Sequence, residues 1–177
     1  MANEKKAYFA GGCFWCVEEA FEKTPGVISA ISGYTGGHIK NPTYEQVTYK
    51  ETGHYEAVEV VYDSQKISYD QLLDVFWKNI DPYDAQGQFC DKGSSYLTAV
   101  FYQNDEEKNA FEVSKKKLGK PDISNFATHI KKLDVFYPAE DYHQDYYKKN
   151  PIRYKLYKNG DKKWINVIRN TYYHHFM

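Results

Sequence analysis

The chain predicts a two-layer domain of mixed helix and strand, α/β or α+β. Three observations carry that expectation. Runs rich in β-branched and aromatic residues alternate with segments of helical periodicity along the whole length. The 177 residues suit one domain and are enough to bury a real core. No internal repeat or low-complexity linker divides them. Residues 1–177 are therefore expected to form a single domain, with 151–177 as its basic tail.

A short strand, Lys6 to Ala10, ends in Gly11-Gly12, and a helix pattern runs from Cys13 to near Pro25-Gly26. Residues 27–34 read as a strand closed by Gly36-Gly37, so strand, helix and strand fit one βαβ unit. Residues 38–53 read as a polar loop containing Asn41-Pro42-Thr43-Tyr44. Glu56 to Tyr62 alternates as a strand, and Ser68 to Lys78 is an amphipathic helix on Leu72, Leu73, Val75 and Phe76. A second polar loop, 80–95, holds Asp81-Pro82, Gly87 and Phe89-Cys90-Asp91-Lys92-Gly93. Strands at 97–102 and 130–136 flank a helix at 105–117, and a short helix follows Pro138. After Asn150-Pro151 the tail reads as irregular or partly helical.

Composition removes several function classes. The net charge of −1 gives no global field for nucleic acid or membrane. Between Lys148 and Met177 eight Lys or Arg face one acid, Asp161, which reads as a solvated face or a contact for an acidic partner. The charged start predicts no signal peptide, no stretch reaches membrane-spanning length, and a cytoplasmic protein is expected. Three cysteines in such a chain argue for redox, catalytic or metal roles over a disulfide framework. Eighteen tyrosines supply core area together with hydroxyl donors.

The chemistry concentrates at Gly11-Gly12-Cys13-Phe14-Trp15-Cys16. A thiol at the first turn of a helix meets unpaired N–H groups and the positive end of the macrodipole, which predicts a lowered pKa and a nucleophilic thiolate. Phe14, Val17 and Phe21 form the apolar stripe of the helix. Trp15 falls on the polar side with Glu18, Glu19 and Glu22, either as a pocket wall or as a residue that another element covers. Cys13 and Cys16 lie one turn apart, within disulfide range, which fits a redox pair or half a zinc site. Glu56 opens the more apolar face of its strand. Partial burial there would hold it protonated as a general acid; otherwise it is a strand-end residue in water. Asp91 would raise the pKa of the adjacent Cys90, making it a poorer nucleophile than Cys13 but still a second redox thiol. His54, His129 and His143 lack metal-ligand spacing.

With these residues identified, the chain resembles the methionine sulfoxide reductase A family from about Tyr8 to Pro151. The markers are Gly12-Cys13-Phe14-Trp15, Gly33-Tyr34-Thr35-Gly36-Gly37, Asn41-Pro42-Thr43-Tyr44-Glu45, Thr52-Gly53-His54-Tyr55-Glu56 and Phe76-Trp77-Lys78-Asn79. Gly87-Gln88-Phe89-Cys90-Asp91 with Ser95-Tyr96, and Tyr137-Pro138-Ala139-Glu140-Asp141-Tyr142-His143-Gln144, complete the set. The resemblance implies an α+β two-layer sandwich with a ferredoxin-like core. It also implies reduction of the S epimer of methionine sulfoxide, free or in proteins, with no cofactor or metal. Cys13 would attack the sulfoxide sulfur and become a sulfenic acid. Glu56 would protonate the oxygen, Tyr44 and Tyr96 would donate hydroxyls to it, and Asp91 would hold the polar network. Phe14 and Trp15 would wall the methyl pocket.

Two departures from the commonest pattern bear on recycling. Cys16 stands where many relatives have glycine, and the C-terminal glycine-rich cysteine segment of some members is missing. Cys16 and Cys90 are the internal candidates to resolve the sulfenic acid, Cys16 being favoured for its fixed spacing; an external thiol is the third. Thioredoxin is the expected final reductant by resemblance. The competing readings are a thioredoxin-type disulfide oxidoreductase using Cys13 and Cys16, a peptide-binding module, and a structural zinc protein.

Overall fold

The computed structural model describes residues 3–119 and 124–160. The last seventeen residues of the basic tail, 161–177, lie outside the described residues. β1 (Glu4–Gly11) leads from exposed lysines into five buried residues, and α1 (Phe14–Glu22) follows. Next come β2 (Val27–Thr35), α2 (Tyr44–Tyr49), β3 (Tyr55–Asp63) and α3 (Tyr69–Lys78). A two-residue-per-strand hairpin, β4 (Gly87–Gln88) and β5 (Asp91–Lys92), precedes β6 (Thr98–Tyr102) and α4 (Asp105–Lys116). β7 (His129–Lys132), β8 (Phe136–Pro138) and α5 (Tyr146–Lys149) close the order, and residues 151–160 are helical.

Six strands make one sheet in the order β7-β6-β1-β3-β2-β8. β3 lies between β1 and β2, antiparallel to both, and β6 is antiparallel to β1 on its other side. β1 and β2 are thus parallel with β3 inserted between them, and β3 and β6 are parallel across β1. The expected βαβ unit is therefore a split one, repeated twice, which is the ferredoxin-like arrangement of an α+β domain.

The strand expected at 130–136 divides in two. β7 pairs parallel with β6 at one edge, while β8 pairs with β2 at the other. From Lys132 to Phe136 the chain can reach only about 14 Å. A flat sheet of six strands would hold its edges about 24 Å apart. The sheet must therefore curl, and Phe136 of β8 comes within 5.5 Å of Tyr8 of β1, ring to ring. Small residues on the inner face, Ala10, Ala57 and Ala99, leave room for the curl around Tyr8, Tyr55 and Phe101. The outer face carries the main core. Phe9, Val58, Val60 and Val100 pack there against Phe14, Val17 and Phe21 of α1 and Leu72, Leu73 and Phe76 of α3.

Both polar loops hold short elements beyond the expectation. α2 is fixed by a capping box, Thr43 accepting from the Gln46 N–H and Gln46 accepting from the Thr43 N–H. The 80–95 segment is pinned by Gln88, whose side chain accepts from the Asp81 N–H at 2.7 Å and donates to the Asp81 carbonyl at 2.8 Å. Each hydrogen bond ties a tight turn together, so composition reads as loop while geometry is rigid.

Candidate active site

β1 ends at Gly11, and Gly12 (φ +84°) turns the chain so that Cys13 stands at the start of α1. A Cβ at Gly12 would lie 2.6 Å from the Gln88 Cβ, so this turn needs glycine for space as well as conformation. Cys13 is the N-cap, but its side chain makes no capping hydrogen bond. The first free N–H of the helix, from Phe14, donates instead to Glu56 Oε2 at 3.0 Å. The anion seat that the sequence assigns to the thiol is thus occupied by a carboxyl group.

That exchange reverses one expectation. Burial first, then contact with the Cys16 thiol and the charge of Glu56, push the Cys13 thiol well above its usual pKa. A hydrogen bond from Tyr157 works in the opposite direction. The helix start does not lower this thiol, because its N–H serves another group.

Glu56 is 2% exposed and sits in β3 opposite Tyr34 of β2. Burial raises its pKa to about 8, against the lowering effect of the Phe14 N–H, with help from the charges of Asp91 and Cys16. Near neutral pH it holds its proton. Tyr44 opens α2, where its backbone N–H donates to Glu140 Oε2 at 3.2 Å. Its phenol, raised first by burial and then by Glu56, is hydrogen-bonded to Tyr96. Tyr96 closes the single 3₁₀ turn Ser94–Tyr96, and burial, Glu56, Tyr44, Asp91 and Cys13 all raise its phenol. Asp91 lies in β5 and accepts a hydrogen bond from the Tyr157 hydroxyl. Five residues from five segments, Cys13, Glu56, Tyr44, Tyr96 and Asp91, are therefore brought together.

The two remaining cysteines part company. The Cys16 and Cys13 thiols are in hydrogen-bond contact. Both line a cavity of about 30 Å³ with Phe89, Asp91, Tyr157 and Lys158. Cys90 is exposed and is not among the residues lining that cavity.

Phe14 is 1% exposed, wedged between Tyr34 and His143. Trp15 is half-buried and firmly held. It stacks on Tyr146 with centroids 3.7 Å apart and planes within 8°, and its Nε1–H donates to His143 Nδ1 at 3.1 Å. The structure thus draws in residues that sequence reasoning missed: His143, Tyr146, Tyr154, Tyr157 and Lys158. The helical spacing of Tyr154, Tyr157 and Lys158 was the available signal. The other internal histidines serve the fold, His54 bridging the Gly37 N–H and the Ile39 carbonyl, His129 contacting the Tyr55 hydroxyl at 2.8 Å. Among the described residues, Glu18, Glu22 and Asp145 form a carboxylate cluster of metal-binding size, but Lys148 pairs with both Glu22 and Asp145 at 2.7 Å.

The chain has clear relatives. The model of the family described as peptide methionine sulfoxide reductase matches residues 5–174. Peptide methionine sulfoxide reductase MsrA of Bacillus licheniformis is 51% identical over 163 residues, 90% of each chain. Among solved structures, methionine sulfoxide reductase A of Corynebacterium diphtheriae superposes with a TM-score of 0.77 at 31% identity, over 86% of this chain and 77% of that one. Mxr1 from Saccharomyces cerevisiae, in reduced form, gives 0.75 at 30% identity, over 84% and 87%. Half the residues shared along nine-tenths of the length, on the same fold, lead to one conclusion: the chain belongs to the peptide methionine sulfoxide reductase family.

Proposed function

We propose that this reductase acts on the S epimer of methionine sulfoxide, free or within proteins, through Cys13. The Cys13 sulfur attacks the sulfoxide sulfur while Glu56 gives its proton to the oxygen. The attack forms an S–S bond; the protonated oxygen then passes from the substrate sulfur to the Cys13 sulfur as the substrate S–O bond and that S–S bond break, so methionine leaves as the thioether and Cys13 is left as a sulfenic acid. Glu56 Oε2 accepts from the Phe14 N–H, which leaves Oε1 to carry the proton. Tyr44 and Tyr96 hydroxyls steady the developing charge on the oxygen, and Asp91 orients the network. Trp15, locked by Tyr146 and His143, offers the methyl group an aromatic wall with Phe14 behind it.

Recycling follows from the thiol contact. Cys16 attacks the sulfenic sulfur, a disulfide forms with Cys13 and water leaves; an external dithiol then reduces that disulfide. Thioredoxin is the dithiol we assign to this step, and a reducing cytoplasm is the compartment it implies. Three cysteines outside any disulfide suit that setting. Among the described residues no helix is long and apolar enough to cross a membrane.

One observation carries the reading: a buried carboxyl that keeps its proton to about pH 8 is tethered to the same helix start as the thiol. The test offers the purified protein each sulfoxide epimer with dithiothreitol, and separately an insulin disulfide. Loss of the S epimer alone, abolished by Cys13→Ser, is the expected result. Turnover of insulin without epimer-selective sulfoxide loss would make the protein a disulfide oxidoreductase instead.

A further inference from the structure

The helix at 151–160 faces α1 with a matched spacing. Tyr154 and Tyr157 stand three residues apart on one side of it, as Cys13 and Cys16 do on α1. Tyr154 donates to Glu19 Oε2 at 2.6 Å and contacts the Cys16 sulfur. Lys158 also donates to Glu19. Burial would raise the Glu19 carboxyl, but the bonds from Lys158, Lys23 and Tyr154 pull it down to about 2, so it is an anionic anchor for this helix. One turn on from Tyr154, the Tyr157 hydroxyl reaches both Asp91 and Cys13, and its ring meets Trp15 edge-on at 6.1 Å.

We propose that Tyr157 is a further catalytic residue, its hydroxyl being the hydrogen-bond donor that favours ionisation of the Cys13 sulfur. This rests on Cys13 being the nucleophile. Because the Phe14 N–H is committed to Glu56, the charge on Cys13 needs a donor from elsewhere. Burial, Cys16 and Glu56 all oppose that charge. A phenol has a single proton to donate. With Cys13 protonated, the phenol serves Asp91; once the sulfur is ionised it becomes a charged acceptor too, and the bond from the phenol to sulfur is charge-assisted. Tyr157 transfers nothing. Burial, the two thiols and Asp91 hold its own pKa far above the neutral range, so it stays a donor throughout. The same bond favours Cys13 as leaving group when the Cys13–Cys16 disulfide is reduced, since a stabilised thiolate leaves faster. A C-terminal segment without cysteines thereby still reaches the reacting sulfur.

The test follows the alkylation of Cys13 by iodoacetamide against pH, read by peptide mass, in a chain carrying Cys16→Ser and Cys90→Ser so that one thiol titrates. Tyr157→Phe should move the midpoint up by about one unit, a roughly tenfold lower rate on the acid side. Tyr154→Phe should move it much less. An unmoved midpoint in a folded Tyr157→Phe chain overturns the proposal. If that variant does not fold, 3-fluorotyrosine at 157, a stronger donor, must lower the midpoint; an unmoved or raised one overturns it equally. Alkylation needs no sulfoxide, so a failure here is separate from failure of the reductase reading, which Cys13→Ser tests.

Discussion

The carboxyl side and the thiol side of the site are built by opposite means. Glu56 stands in an interior strand of the sheet, held in register opposite Tyr34 of β2. Cys13 stands at a chain turn, and what surrounds its sulfur comes from a helix start, a small hairpin and the helix at 151–160. Burial raises both groups. For Glu56 that is the state the chemistry uses, an acid with its proton in place. For Cys13 it is the wrong one, since a nucleophile must ionise. One environment therefore serves the acid and obliges the thiol to recruit donors, and the Phe14 N–H at the helix start has gone to the side that needs it less.

The sharpest way to break this contrast is Glu56→Gln, which keeps the Phe14 contact and removes the proton. Sulfoxide reduction should fall by about 10²–10⁴-fold, the usual worth of a general acid. In the wild type the pH profile of the reductive step should bend near pH 8, where Glu56 loses its proton. The variant should lack that bend. Equal rates for the two proteins would remove Glu56 from the reaction.

The thiol side is sharpened by following the oxidised protein after one equivalent of sulfoxide. Peptide mapping should reveal a Cys13–Cys16 disulfide, and Cys16→Ser should leave a sulfenic acid on Cys13 and slow multiple turnover with thioredoxin. Cys90→Ser should change both little, because Cys90 is exposed and does not line the cavity that the other two share. A Cys13–Cys90 bond in the wild type would reverse the assignment.

The same two sides differ in how far the sequence exposes them. Alternation along Glu56 to Tyr62 places Val58 and Val60 on the outer core and Ala57 on the inner one, as the structure has them. Local period is enough, because successive side chains of a strand point to opposite faces, so placing one residue places every second one. The split order of the sheet was not legible locally. Which strand inserts between β1 and β2 depends on pairings across dozens of residues. The elements at 44–49 and 87–92 were hidden because they are only one or two turns long, stabilised by Thr43, Gln46 and Gln88 side chains rather than by an apolar pattern. The thiol pKa departs from the sequence expectation for a related reason. The helix start was correctly found, but only the fold shows that Glu56 claims its N–H. Likewise the tail reads as charge in one dimension, and only the packed helix reveals Tyr154 and Tyr157 turned toward the thiols.

The smallest expected effect tests the proton on Glu56 without any turnover. In the unfolded chain this carboxyl titrates near 4.5, in the folded one at about 8. Between those values the folded protein keeps a proton that the unfolded chain has released, so stability falls as pH rises across that interval and levels off above it. Below about pH 4.5 the contribution vanishes. Glu56→Gln has no such proton, so the melting temperature of the variant should gain on the wild type from pH 5 to pH 9. Each kcal/mol is worth about 2–4 °C for a chain of this size, so thermal scans at pH 5, 7 and 9 can read it. A gap that stays constant with pH would mean that Glu56 is not held protonated by burial. The pH at which the gap levels off must also agree with the bend in the rate profile, because one proton governs both. A bend centred elsewhere would assign the rate to a different group, and Cys13, raised by the same burial, is the group it would point to.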